Sequence, residues 1–209
     1  MLDILVYLSS KSKNMPKKQE QFNMVIVGTG GQGLITLLQV ISEAALSEGK
    51  EIRTSELHGL SQRGGSVEVH IRFGKEIYSP MVAVGSADLI LGLEAQESLK
   101  GIGFANKETN FLINKYIVPI PLEKSLSEKE IIKSLKRISK NILVVSAADI
   151  TKEKFGTNVV AGIYLISLAA FKNWIPLKPD SIKKALKRVI PKKYLKLNLD
   201  SFDLSSKLS

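Results

Sequence analysis

Apolar and polar residues recur along this chain with two different periods, and the periods predict its elements. Met24–Gly28 is a short continuous apolar run, the mark of a strand buried on both faces. It runs into Gly28, Gly30 and Gly33. From Gln32 to Leu46 the apolar positions return at helical spacing, and Gly49 stops the helix. Glu51–Ser55 is a second strand. Ser66–Phe73 then alternates: Val67, Val69, Ile71 and Phe73 point one way, and Glu68, His70 and Arg72 the other. One polar face predicts an antiparallel strand, wet on that side, with His70 an ordinary solvated histidine. The expected hairpin turns at Gly74-Lys75 into Glu76–Tyr78.

Further apolar strands fall at Asp88–Leu93, Phe111–Ile113 and Ile142–Ser146. Helices are expected between them, including Ser127–Ser139 with Ile131, Ile132, Leu135 and Ile138 on one face. Phe155–Phe171 carries no charge but falls short of the ~20 residues of a membrane span, so it reads as a helix buried on all sides. Asp180 is expected to cap a helix with Ile182, Ala185, Leu186, Val189 and Ile190 as its buried stripe. Strands alternating with helices give an α/β class: three layers, α/β/α, around a mixed, mostly parallel sheet with a Rossmann-like first βαβ unit. Residues 1–22, with lysines among Ser, Asn, Pro and Gln, read as a flexible N-terminal extension, and residues 23–209 as a single domain.

Composition narrows the chemistry. The 209 residues contain no cysteine, which excludes disulfides, thiolate zinc sites, a cysteine nucleophile and thiolate-held iron–sulfur clusters within this chain. Lys172–Ser209 holds ten Lys and Arg against three Asp, so most of the net charge of +10 sits at the C-terminal end, while Met24–Phe171 is nearly neutral. Such a tail is most simply a solvated lysine-rich surface. A nucleic-acid role is disfavoured, because aromatic residues are not interleaved with the lysines. No targeting or membrane-spanning segment is read, and a cytoplasmic location is expected.

Two stretches carry candidate chemistry. GTGGQG, Gly28 to Gly33, satisfies G-x-G-x-x-G, and Glu56 lies near the position where a dinucleotide fold holds a ribose. A glycine turn before a helix start suits an anion, because unpaired amides and the positive end of the helix dipole meet there. Gln32 counts against a nicotinamide enzyme, since such turns keep small or apolar residues at that point. The second stretch, Thr54–Gly74, crowds Glu56, His58, Gln62 and Arg63 into what reads as the loop after the second strand, followed by Gly64, Gly65 and Ser66. Arg63 could pair with a phosphate or carboxylate, and the paired glycines would let the backbone approach it.

Taken together, VGTGGQG, TSELHGLSQRGGSVEVHIRFG and YSPMVAVGSADLILGLEAQESL resemble the gamma-type subunits of 2-oxoacid:ferredoxin oxidoreductases, with the small subunit of indolepyruvate ferredoxin oxidoreductase as the nearest branch. Asn158 after Phe-Gly-Thr, and LKLNLDSF from Leu195, add support. The resemblance implies a subunit of a cytoplasmic hetero-oligomer that oxidatively decarboxylates a 2-oxoacid to acyl-CoA. Thiamine diphosphate, Mg2+ and [4Fe-4S] clusters would lie in a large alpha subunit, coenzyme A would be co-substrate, and ferredoxin would accept the electrons. It implies no cofactor bound by this chain alone and no catalytic residue within it. Gly28, Gly30, Gly31, Gln32, Gly33, Glu56, His58, Gln62, Arg63, Gly64, Gly65, Ser66 and Asn158 would face a cofactor or the partner. The alternative is a stand-alone NAD(P)- or flavin-binding oxidoreductase using GTGGQG.

Overall fold

The computed structural model describes residues 21–59, 64–118 and 126–206. Six strands form one sheet in the order β2-β3-β1-β4-β5-β6: β1 Gln21–Thr29, β2 Glu51–His58, β3 Ser66–Gly74, β4 Leu89–Gly92, β5 Asn110–Asn114 and β6 Ile142–Val145. β1, β4, β5 and β6 are parallel neighbours, whereas β3 runs antiparallel to both β1 and β2. The mixed α/β sheet is as expected from the pattern. The first unit departs from a Rossmann arrangement: β3 is inserted between β1 and β2, so the strand that follows the first helix does not pair with the first strand.

Why β1 is apolar at every position follows from its place near the middle of the sheet. Met24 and Ile26 enter one core, and Val25 and Val27 the other, all four fully buried. The larger core lies under α1 Leu34–Ser47, α3 Ala147–Phe155, α4 Ala161–Phe171, α5 Pro179–Val189 and α6 Lys192–Ser205. The opposite core lies under a 3-10 helix, Glu97–Phe104, and α2 Glu128–Leu135. α1 buries Leu34, Leu37, Val40, Ile41, Ala44 and Ala45 at helical spacing. It ends in a Schellman motif, with Gly49 and Lys50 donating to Leu46 and Ala45. α4 is buried at every position from Ala161 to Ala170, but it takes up only the later part of the uncharged run Phe155–Phe171: Phe155 closes α3, and Gly156, Asn158 and Val159 are exposed ahead of α4. Three serines pin α6 to it: Ser167 donates to the Phe202 carbonyl at 2.7 Å, Ser205 to the Ser167 hydroxyl at 2.6 Å, and Ser201 to the Val160 carbonyl at 3.1 Å.

Three local expectations are corrected. Glu76–Tyr78 forms no strand; the hairpin is β2–β3, and the chain after Gly74 instead crosses the polar face of β3. His70 is therefore fully buried rather than solvated. The Val82 amide donates to His70 Nδ1 at 3.1 Å, which leaves the proton on Nε2, 2.8 Å from Glu68 Oε1. Phe104 packs edge-on against the ring at 4.9 Å. Alternation in β3 was real, but a strap and the 3-10 helix cover the side it left polar. Finally, α5 begins at Pro179 with Lys178 as its N-cap residue, so Asp180 lies in the first turn and makes no side-chain cap. Its charge still suits the positive helix end. Ser127, by contrast, heads α2 in a full capping box with Glu130.

Candidate functional site

The site is built where β1 ends. Thr29 closes the strand, and Gly30-Gly31-Gln32-Gly33 carries the chain over the sheet edge into α1. Gly31 and Gly33 have φ of 97° and 80°, values an L side chain adopts only under strain, so the turn needs glycine at both. Gly33 is the N-cap residue of α1 and contributes no side chain, and the first turn holds no acidic residue. Nothing on α1 itself therefore compensates the positive end of this helix.

Gln32, the residue that looked out of place, has a structural answer. Its side chain folds back under the turn: Oε1 accepts from the Thr29 amide at 2.8 Å, and Nε2 donates to the Leu93 carbonyl at 3.4 Å. One amide thus ties the end of β1 to the residue after β4. Gly28 makes room for it, because a Cβ there would stand 2.6 Å from Gln32 Oε1 and 3.1 Å from Leu93 Cβ. A small or apolar residue at 32 would leave the Thr29 amide without this acceptor.

The second motif folds onto the first. The Gly30 amide donates to the Gly65 carbonyl at 2.8 Å, and Thr29 pairs with Ser66 at the end of the β1–β3 ladder. The Ser66 hydroxyl donates to Glu97 Oε2 at 2.5 Å, and Lys100 donates to the same carboxylate. Glu56 and His58 belong to the end of β2 rather than to a loop. Gln62 and Arg63 lie outside the described residues.

Three clefts meet at this turn, and Gly31 borders all of them. The first, of about 370 Å³, runs over the ends of β1, β4 and β5 between Gly30, Gly64, Leu93, Asn114 and Asn158. Asn158 is exposed on its far wall, three residues ahead of α4. The second, of about 480 Å³, places Glu56, His58 and Val67 opposite Gly30, Gly33 and Ile35. The third, of about 620 Å³, leads from Gly31 past Val159 to Ile190, Pro191 and Tyr194. Gly30, Gly31, Gln32, Gly33, Glu56, His58, Gly64 and Asn158 all line at least one cleft. Gly65 and Ser66 support the turn from behind, and Gly28 is buried beneath it.

Sequence reading missed two buried residues that hold this edge. Asn114 donates to the Leu93 carbonyl at 3.0 Å and accepts from the Ala148 amide at 3.1 Å, joining the ends of β4 and β5 to the start of α3. Glu94, 2% exposed, accepts from the Glu97 amide at 2.7 Å and the Val118 amide at 3.0 Å. Burial pushes its carboxyl above the ordinary range; the backbone amides oppose the shift and the Glu97 charge adds to it. A polar residue at or just past the end of a short apolar strand was the available signal.

Among the described residues no three His, Asp or Glu side chains converge to hold a metal ion, and with no cysteine in the chain the residues present do not fit an iron–sulfur cluster. No described helix is long and apolar enough to cross a membrane.

Comparison with known proteins agrees along the whole described fold. The family model for pyruvate ferredoxin/flavodoxin oxidoreductase matches residues 23–208. The chain is 32% identical to indolepyruvate oxidoreductase subunit IorB of Pyrococcus horikoshii over 194 residues, covering 90% of this chain and 96% of that one. It is 31% identical to the subunit of the same name from Archaeoglobus fulgidus, covering 88% and 93%. Its fold is similar to part of the 2-oxoglutarate:ferredoxin oxidoreductase of Magnetococcus marinus, with a TM-score of 0.69 at 15% identity, over 92% of this chain and 32% of that one. The stand-alone dinucleotide enzyme gains no support from these matches. A glycine turn tied to a second glycine pair, on a chain matched from residue 23 to residue 208, places the protein in the pyruvate ferredoxin/flavodoxin oxidoreductase family, as a subunit of a 2-oxoacid:ferredoxin oxidoreductase.

Proposed function

We propose that this chain is the small subunit of an indolepyruvate, or closely related arylpyruvate, ferredoxin oxidoreductase. It would act with a larger subunit that holds thiamine diphosphate and the iron–sulfur clusters. The complex would convert the 2-oxoacid and coenzyme A to acyl-CoA and carbon dioxide, passing two electrons to ferredoxin. Thiamine diphosphate supplies the carbanion chemistry in the large subunit; this chain supplies binding surface. Residues 23–209 would work as one gamma-type domain, to which Gln21 and Phe22 add the first two residues of β1.

The observation that carries this reading is the Gly30–Gly65 hydrogen bond. It fuses two motifs 35 positions apart into one turn, bordered by clefts and headed by a helix start without a compensating acid. Such a surface binds an anion by backbone amides and allows close approach. A coenzyme A phosphate or an acidic loop of the large subunit meets that description; the Magnetococcus marinus enzyme was solved with coenzyme A and succinyl-CoA bound. Asn158, Glu56 and His58 would border whichever group enters.

Anoxic affinity purification of the chain from its native cells tests the proposal. A stoichiometric large partner with iron, sulfide and thiamine diphosphate, reducing a viologen dye with indolepyruvate and coenzyme A, is expected. A lone chain that binds NAD would overturn it.

A further inference from the structure

The segment that crosses the polar face of β3 turns apolar side chains both ways. Ile77, Val82 and Ala87 are buried, whereas Tyr78, Met81 and Val84 are exposed, Tyr78 and Val84 at 84% each. Single apolar residues on a surface need no explanation. The other exposed large ones among the described residues, Ile35, Leu46, Leu57, Leu126, Val159 and Tyr194, are scattered along the chain. Here three fall between positions 78 and 84. The backbone beneath them is tied down: Arg72 donates to the Ser79 carbonyl at 2.9 Å and to the Met81 carbonyl at 3.3 Å, and the Val82 amide donates to His70. A segment held in this way does not turn those side chains under.

Both ends of this patch are bonded to the first residues of β1. Gln21 Nε2 donates to the Glu76 carbonyl at 2.7 Å, and Asn23 Nδ2 donates to the Ser86 carbonyl at 3.0 Å. Arg72 ties the same residues together, donating to Gln21 Oε1 at 3.0 Å and to Asn23 Oδ1 at 2.9 Å. The chain therefore enters the fold at the margin of the patch, and residues 1–20 precede that entry. Their composition has two parts. Residues 2–8 read Leu-Asp-Ile-Leu-Val-Tyr-Leu, apolar but for Asp3, and residues 9–20 are polar apart from Met15 and Pro16. An apolar head of this kind gains by leaving water. Residues 9–20 can span up to about 40 Å when extended, and the patch begins at the carbonyl that Gln21 already touches.

We infer that residues 2–8 fold back over Tyr78, Met81 and Val84 and cover them within the same chain. The tether holds the apolar head at about millimolar local concentration, so a modest contact with three side chains is enough. A separate chain would have to reach the patch past a segment rooted at its margin. Covered, the patch is closed to other chains; uncovered, it offers them an apolar face. The patch lies at the start of β1 and the glycine turn at its end, so the inference stands apart from the function proposed above.

The chain has no cysteine, so one introduced thiol reports on one position. Val84→Cys in the full chain, purified with whatever subunits accompany it, is labelled with a maleimide beside the same variant lacking residues 1–20. Labelling should be at least about tenfold slower in the full chain, since only the opened form reacts. Ile4→Asp with Val6→Asp should remove that protection without any deletion. Ile4→Cys with Val84→Cys should close a disulfide within one chain under mild oxidation. Val84 is exposed, so the thiol variants are expected to melt with the parent. Equal labelling with and without residues 1–20 would overturn the inference, whether the patch is open in both or shielded in both by another chain. Protection that depends on residues 1–20 but comes with a disulfide between two copies, or with none, would assign the cover to another chain and overturn it as well.

Discussion

The Gly30 amide donates a 2.8 Å hydrogen bond to the carbonyl of Gly65, and that contact turns two glycine-rich motifs into one surface. Neither motif defines the site alone. The turn after β1 has the shape of a dinucleotide loop, but its second wall comes from the start of β3, a strand that a Rossmann unit does not place beside β1. The resulting edge has open clefts and backbone amides, and the anchoring side chains lie beneath it.

Gln32 should behave as an internal cap. Gln32→Ala removes the acceptor of the Thr29 amide, and thermal or denaturant unfolding should show a loss of about 1 kcal/mol. Gln32→Glu should rescue it only in part at neutral pH, because the carboxylate still accepts from the Thr29 amide but cannot donate to the Leu93 carbonyl. If Gln32→Ala is as stable as the parent, the folded-back side chain is not what holds the turn.

Glycine is required in this turn for two separate reasons. Gly33→Ala should cost about 1–2 kcal/mol from backbone strain alone, since a Cβ there meets nothing within 4 Å. Gly28→Ala should be costly by another route, by driving Gln32 out of its place. Combining Gly28→Ala with Gln32→Ala should then be less than additive, whereas Gly33→Ala with Gln32→Ala should stay closer to additive. A denaturant-melt double-mutant cycle with no coupling between 28 and 32 would refute the assignment.

His70 is expected in the Nε2–H tautomer, readable from its ring 15N shifts. His70→Leu would strip both the Val82 amide and Glu68 of a partner on a buried face, at a cost of about 2–4 kcal/mol. Faster amide exchange should appear from residue 77 to residue 87, the strap this histidine holds. A stable variant with an unchanged exchange pattern would show that the strap stands without it.

Glu94 gives the fold a pH dependence of defined sign. Its folded carboxyl is raised above the ordinary 4.5 by burial, so between those values the native state binds more protons than the unfolded chain. Stability from this group is therefore highest at low pH and falls as pH rises from 4.5 through the raised value. The difference in unfolding free energy between the parent and Glu94→Gln, followed across that window, should carry this slope. A flat difference, or one rising with pH in favour of the parent, would contradict it.

The sequence by itself determined most of the elements. β1, α1, β4 to β6 and the fully buried α4 follow from apolar spacing, because burial on one face, both faces or all sides leaves different local signatures. The glycine positions were legible for the same reason: positive φ and close approach are local demands. Tertiary structure alone decided what covered each face and which motif met which. Nothing local in β3 says that the segment after Gly74 will lie over His70, or that β3 will insert beside β1 and carry Gly65 to Gly30. Glu56 and His58 look like loop residues because β2 is exposed at three successive positions, Glu56 to His58, and loses its periodic signature there. Asn114 and Glu94 looked incidental, since the Ala148 and Val118 amides they satisfy belong to other segments. Strand order and covering loops are set by non-local packing, and so the site's supports appeared only in the folded chain.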